Sequence, residues 1–123
     1  MRRRKDEEAE IQKAVVFWLR TVHPEILFTI APSGMKLPIS VATKFKRMGY
    51  SKGTPDIMIF EPSGVFHGLF IELKTDTGRV TIEQRCWLKE LDKRGYYTIV
   101  CRSVDQCRSI IEKYLERKGE IRS

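Results

Sequence analysis

An acidic pair and a lysine, placed on what the sequence predicts to be a β-hairpin, are the residues best suited to chemistry. Glu72 and Lys74 are two positions apart in an apolar segment, so on a strand their side chains share one face. Asp56 begins the preceding predicted strand. If the hairpin pairs Asp56 with Glu72 and Met58 with Phe70, the two carboxylates lie opposite each other, whereas a slip of one residue places them on opposite faces.

Two carboxylates this close repel each other, which raises one pKa unless a cation lies between them. Mg²⁺ meets that need, because it takes hard oxygen ligands and binds through one or two carboxylates together with substrate phosphates. Lys74 would orient or deprotonate a water molecule, or balance charge on the phosphate. These groups together predict metal-assisted hydrolysis of a phosphodiester bond.

The same residues have a second interpretation, a structural ion pair in a module that only binds nucleic acid. Spacing alone does not decide, since Glu116 and Lys118 repeat the Glu-x-Lys pattern where we expect a surface pair at a helix end. The strand context and the preceding Pro55-Asp56 favour the metal-dependent nuclease. From the residues alone, both interpretations stay open.

The charge of the chain favours a nucleic-acid partner. Its 123 residues contain 23 Lys and Arg against 16 Asp and Glu, a net charge of +7. Residues 36–52 include no acidic residue, and the release of counterions from a phosphate backbone drives binding to such a stretch. A solvated surface that keeps the protein soluble is the alternative. The predicted DNA-binding residues here are Lys36, Lys44, Lys46, Arg47 and Lys52, with Tyr50 as a further candidate contact.

Length and composition exclude several other classes of protein. A chain of 123 residues predicts one domain, residues 1–123, with a core that needs no metal or disulfide for stability. The longest apolar run, residues 14–19, is far shorter than the roughly 20 residues of a membrane-spanning helix. The three cysteines, Cys86, Cys101 and Cys107, are an odd number without metal-ligand spacing. We expect them to be buried free thiols of a cytoplasmic protein.

Hydrophobic periodicity and capping patterns predict the order helix, strand, helix, strand, strand, helix, strand, helix. Such an order is typical of an α/β domain with a small mixed sheet flanked by helices. Ser40 is the expected N-cap of the short basic helix, and Thr81 with Gln84 forms a capping box that opens the next one. Trp18 and Trp87 lie on apolar helical stripes and are predicted core residues. The predicted helices cover residues 6–22, 40–49, 81–95 and 103–118, and the strands cover residues 26–30, 56–60, 69–74 and 97–101.

These motifs resemble those of a known family. The turn Gly53-Thr54-Pro55-Asp56, followed by Glu72-Leu73-Lys74, resembles the signature of PD-(D/E)XK nucleases. More narrowly, the sequence is similar to stand-alone virus-type replication-repair nuclease (VRR-NUC) domains of phages and bacteria over nearly its whole length. Further matching positions are Glu8 with Gln12, Pro32-Ser33-Gly34, Met48-Gly49, Gly78, Thr81, Gln84, Leu91 and Gly95-Tyr96.

The resemblance implies a restriction-endonuclease-like fold and DNA cleavage that depends on Mg²⁺ or Mn²⁺. It further implies that Asp56 and Glu72 bind the metal, that the Leu73 carbonyl is another ligand, and that Lys74 is catalytic. Ser33, which stands where relatives commonly have Asn, belongs to a loop expected to contact DNA.

The first helix would complete the acidic set. The resemblance leaves Glu8 and Glu10 as candidates, because Glu8-x-Glu10 makes the alignment ambiguous by two residues. Helical geometry favours Glu8, which shares a face with Gln12, and the alternative is that either charge only complements the helix dipole. Gln84 also has two interpretations: it completes the Thr81 capping box, or it acts as a neighbour of Lys74 or of the scissile phosphate.

We therefore predict a structure-selective DNA endonuclease. The sequence has no helix-turn-helix, zinc-finger or RRM motif with which to read base edges. A small nuclease acquires a second active site most simply as a homodimer, which would suit the cutting of a four-way (Holliday) junction, as the resemblance also suggests. The alternatives are a DNA-binding module with an inactive site and a sequence-specific restriction-type enzyme.

Overall fold

The computed structural model describes residues 4–32 and 37–117 of the chain. Within these residues the helices and strands follow the predicted order, although several begin or end one or two residues from the predicted position. The elements are α1 (Arg4–Val22), β1 (Phe28–Ile30), α2 (Ile39–Arg47), β2 (Ile57–Ile59), β3 (Leu69–Leu73), α3 (Ile82–Lys93), β4 (Tyr97–Cys101) and α4 (Val104–Glu116).

The strands form one mixed sheet in the order β1-β2-β3-β4. The pairings β1–β2 and β2–β3 are antiparallel, and β3–β4 is parallel because α3 carries the chain back across the sheet. In the hairpin Met58 lies opposite Phe70, which confirms the predicted register. Extending this register by two residues places Asp56 opposite Glu72.

The core lies between one face of the sheet and the helices α1 and α4. Alternation along the strands turns Ile57, Ile59 and Ile71 into this core, where each is fully buried. Leu19 of α1 and Ile111 of α4 pack against them. The even-numbered residues of β2 and β3 face the opposite side of the sheet, so the hairpin carries its polar groups away from the core.

Helix α3 begins with the predicted capping box. The Thr81 hydroxyl accepts a hydrogen bond from the Gln84 backbone N–H, and the Gln84 side chain accepts one from the Thr81 N–H. Ser103 caps α4 in the same way by accepting from the Gln106 N–H. The Gln106 side chain, however, accepts from the N–H of Arg102 rather than from that of Ser103, so α4 begins with only half of a capping box.

The predicted N-cap of α2 is wrong. The helix begins at Ile39, and Ser40 lies inside it, while Pro38 occupies the N-cap position without a side-chain hydrogen bond. The pyrrolidine ring restricts φ of Pro38, here −55°, which suits entry into a helix, and the N-cap lies two residues before the predicted Ser40. None of the described helices combines the length and the apolar character needed to cross a bilayer.

Two predictions of burial hold only in part. Cys101 and Cys107 are buried free thiols, but Cys86 is exposed because α3 buries none of its residues completely. Trp18 packs against the core as predicted. Trp87 is half-buried and lines a cavity on the Met58 side of the sheet, away from α1 and α4.

Candidate active site

A polar cleft of about 400 Å³ lies where the start of β2, the end of β3 and the first turns of α1 and α3 meet. The hairpin register places two of its acidic residues side by side, and the other groups come from separate elements. The predicted catalytic and metal-binding side chains that line the cleft are Glu8, Asp56, Glu72, Lys74 and Gln84.

The carboxyl groups of Asp56 and Glu72 are almost completely buried, with residue exposures of 8% and 2%. The Leu73 backbone N–H donates to Asp56 Oδ2 at 2.7 Å. The Gln84 amide donates to Glu72 Oε2 at 3.2 Å. Glu72 Oε1 is buried and receives no hydrogen bond from a donor group in the described residues, so an acceptor oxygen in this cleft is left for a ligand.

The electrostatics of the cleft keep Glu72 neutral in the absence of a cation. Burial, followed by a hydrogen bond with the Asp56 carboxyl and repulsion from its charge, raises the pKa of Glu72 from 4.5 to about 9. The Lys74 ammonium opposes this increase, and Glu8 adds to it. A hydrogen bond between two carboxyls requires that they share a proton. A divalent cation would replace that proton and restore both negative charges.

Lys74 is held at the end of β3 by its own backbone and by the loop that follows. Its N–H donates to the Cys101 carbonyl at 2.9 Å, which ties it to β4, and the residue is buried, with 7% exposure. The Arg102 guanidinium donates to the carbonyls of Thr75 and Gly78, each at 2.7 Å. Arg102 thereby fixes the loop after Lys74. No sequence motif marked Arg102, because its partners lie 27 and 24 residues away.

Gln84 completes the capping box and also reaches into the cleft. Its side-chain oxygen accepts from the Thr81 N–H at 2.9 Å to complete the capping box. Its side-chain nitrogen donates to the Glu72 carboxyl. The first turn of α3 therefore orients one of the two buried carboxyls.

Gly53 allows the turn before Asp56 to pack directly on α3. Its φ of +100° lies in the region that favours glycine, and a Cβ atom there would be 2.6 Å from the backbone carbon of Glu83. Any larger residue would push the turn away from α3, and with it Asp56 away from Gln84.

The structure distinguishes the positions of the two candidate acids of α1. Glu8 lines the cleft, and its charge acts on Glu72. Glu10 is exposed and lies about 200° further around the helix axis. Glu8 is therefore the acid that α1 brings to the site.

The predicted DNA-binding residues are exposed on α2, line the cleft, or lie outside the described residues. Lys44, Lys46 and Arg47 are exposed on the last turns of α2, and Lys52 lines the cleft with an 80% exposed side chain. Ser33 and Lys36 are not among the described residues. Arg4, which the charge pattern did not single out, lines the cleft as well, and so does the candidate contact Tyr50.

The donor set fits a hard divalent cation. Asp56 and Glu72 offer carboxylate oxygens, and the carbonyl of Leu73 faces the same strand edge as its N–H, which bonds to Asp56. Across residues 4–32 and 37–117, no three His, Cys, Asp or Glu side chains are placed to enclose a metal. Mg²⁺ suits such an open site, because it retains waters and takes few protein carboxylates.

The mixed sheet with helices on both sides defines a restriction-endonuclease-like α/β domain, a class to which nucleases belong. The sequence profile of the VRR-NUC domain matches residues 6–105. The chain belongs to the VRR-NUC family, which is a family of nucleases.

Solved structures agree with this assignment. One described as "VRR_NUC domain protein" has a TM-score of 0.72 and 31% sequence identity, over 93% of this chain and 92% of its own. Another, described as "VRR_NUC domain", has a TM-score of 0.56 and 25% identity, over 87% of this chain and 96% of its own. No curated protein matches the chain.

Proposed function

We propose that this protein is an endonuclease that depends on Mg²⁺ or Mn²⁺ and hydrolyses phosphodiester bonds in branched DNA. The observation that carries the proposal is the buried pair Asp56 and Glu72, in which one carboxyl oxygen has no donor and the Glu72 pKa is raised to about 9. Family membership supports nuclease activity, and the donor set supports the choice of metal.

Asp56, Glu72 and the Leu73 carbonyl are the proposed metal ligands, with Glu8 as a further acid. When bound, the cation supplies positive charge to the phosphate and lowers the pKa of a bound water. Lys74 stabilises the negative charge that develops on the phosphate, or receives a proton from the attacking water. Gln84 holds the Glu72 carboxyl in position through its amide.

The proposed selectivity for DNA structure has a separate basis. The exposed basic residues Lys44, Lys46 and Arg47 provide contacts to phosphates without reading bases. A homodimer would place two such sites around one branch point, which suits a four-way junction.

A panel of four-way junction, flap, splayed-arm and duplex DNA tests this function, each with Mg²⁺, Mn²⁺ or a chelator. We expect cleavage of branched DNA that the chelator abolishes. Asp56→Ala and Lys74→Ala should eliminate cleavage and retain salt-dependent binding, while Lys113→Ala, on the exposed face of α4, is the matched control.

Each alternative has its own outcome in the same panel. Tight binding by the wild-type protein without cleavage of any substrate would indicate a binding module with an inactive site. Cleavage of plain duplex at a fixed sequence would indicate a restriction-type enzyme. Undiminished cleavage by Asp56→Ala would refute the assigned site. Sedimentation at several protein concentrations tests the homodimer.

A further inference from the structure

A second cavity, of about 270 Å³, lies next to the catalytic cleft on the side of the sheet that faces away from the core. Its size is close to the lower end of the range for pockets that hold small organic ligands, roughly 300 Å³. The lining is mainly apolar and includes two half-buried aromatic rings. The residues that matter for its chemistry are Ile30, Pro32, Tyr50, Thr54, Met58 and Trp87.

This cavity adjoins the proposed active site. Tyr50 lines both the cavity and the cleft that contains Asp56 and Glu72. The N–H of Ala31, in the cavity wall, donates to the backbone carbonyl of Asp56 at 3.1 Å. Gly53 packs the turn before Asp56 on the backbone of α3. This turn contributes Thr54 to the cavity and Asp56 to the cleft. A nucleotide with its phosphate in the cleft would have its base beside the cavity.

The side chains suit a nucleobase. Tyr50 and Trp87 present aromatic rings, on which any base can stack whatever its sequence, and Met58 adds a polarisable apolar surface. The Thr54 hydroxyl is a buried polar atom without a hydrogen-bond partner among the described residues. An apolar pocket with one unpaired hydroxyl offers a base both a stacking surface and a hydrogen bond to its edge.

We propose that this cavity binds an unpaired nucleobase of the DNA strand whose phosphate is cleaved. The inference rests on the proposed nuclease function and extends it, because it explains how a protein without a base-reading motif selects DNA structure. A base within a duplex is stacked and paired, so placing it in the cavity requires breaking those contacts. At a branch point or a flap the base is already unpaired, so binding it in the cavity does not carry that free-energy cost.

The first test uses wild-type protein and a set of branched substrates, each with one abasic nucleotide at a different position around the scissile phosphate. At one position the missing base should raise KM about tenfold, within the range expected for the loss of one stacked base. The other positions should change KM little. Equal KM values at every position would overturn the proposal and leave the nuclease function standing.

The second test uses Trp87→Ala, with Phe17→Ala as the control, since Phe17 is a 73% exposed aromatic residue on α1 outside the cavity. Trp87→Ala should cleave normal and abasic substrates with equal KM, whereas Phe17→Ala should keep the tenfold difference. Because the abasic series already works with wild-type protein, misfolding of a variant does not remove the test. A tenfold difference that persists in folded Trp87→Ala would overturn the proposed stacking.

The third test measures binding without cleavage. The sensitive position carries 2-aminopurine, and Lys74→Ala protein is added in Mg²⁺. Stacking in the cavity should quench the fluorescence, and a further Trp87→Ala change should restore it. If no wild-type protein cleaves any substrate, 2-aminopurine is placed at each position in turn. Quenching at one position would then support the cavity while the nuclease proposal fails, and unchanged fluorescence at all positions would overturn the cavity as well.

Discussion

Replacement of Glu72 by glutamine should stabilise the metal-free protein, and the gain should increase with pH. Glutamine keeps the shape of the side chain and can accept from Gln84 and donate to Asp56, but it does not ionise. In the wild-type protein the pKa of Glu72 rises from 4.5 to about 9, mainly because the carboxyl is buried. Between those values the folded protein holds one proton more than the unfolded chain, so its free energy of unfolding falls as the pH rises.

The size of the effect follows from the interval between the two pKa values of Glu72, 4.5 and about 9. One extra proton in the folded state removes about 1.4 kcal/mol of stability for each pH unit. Between about pH 5.5 and pH 8 the wild-type protein should therefore lose roughly 3 kcal/mol relative to Glu72→Gln. For a domain of this size that difference corresponds to a change of about 10 °C in the gap between the two melting temperatures.

Urea unfolding in the presence of a chelator, at a series of pH values, measures the difference between the two proteins. Other titrating groups cancel in that difference, and Glu116→Gln is the matched control because Glu116 is exposed at the end of α4. Saturating Mg²⁺ should stabilise the wild-type protein more than the variant, since only the wild type regains a second carboxylate on losing its proton. A wild-type-to-variant difference that stays constant with pH would refute a neutral Glu72.

Three further substitutions test how the site is positioned. Gly53→Ala should destabilise the fold by about 1–3 kcal/mol and abolish most cleavage, because its Cβ would meet the backbone of α3; urea unfolding and cleavage rates measure both effects. Gln84→Ala should lower kcat about tenfold with little change in KM, since it loses the hydrogen bond to Glu72 as well as the cap. Arg102→Ala should lower kcat while binding stays constant, because the loop after Lys74 loses two hydrogen bonds, and Arg102→Lys should restore part of it.

The chain offers a matched control for each of these changes. Gly49 has a φ of +110°, but a Cβ atom there would meet no atom of the described residues within 4 Å, so Gly49→Ala isolates backbone strain from the clash. Thr81→Ala removes the cap of α3 but keeps the Gln84 amide that donates to Glu72, and Arg94 bonds to Glu90 of α3. If Thr81→Ala lowered kcat as much as Gln84→Ala, or Arg94→Ala as much as Arg102→Ala, the effect would be one of general stability rather than of positioning.

The sequence predicted the hairpin well because its determinants are local. Period-two alternation along both strands leaves one register that keeps the apolar residues on the core face, and that register brings Asp56 and Glu72 together. The cap of α3 was equally local, since Thr81 and Gln84 are three residues apart. Such features need no knowledge of the rest of the fold.

Contacts between segments that are distant in the chain could not be predicted from the sequence. Spacing alone could not decide between Glu8 and Glu10, because only the docked position of α1 determines which face meets the cleft. Arg102 had no motif, since its partners belong to a loop on the other side of α3 in the chain. Cys86 was predicted to be buried from composition, yet α3 covers only part of its sheet face and leaves the thiol exposed.

The Gln84 side chain bonds Thr81 through its oxygen and Glu72 through its nitrogen, which has a consequence for chemical ageing. A capping box accepts glutamate as readily as glutamine, so deamidation of Gln84 would leave α3 intact. The new carboxylate, however, would face Glu72 where a donor is needed. An aged sample would then keep its helical content while its activity declined, and the small mass increase from replacing the amide nitrogen by oxygen on this peptide would identify the change.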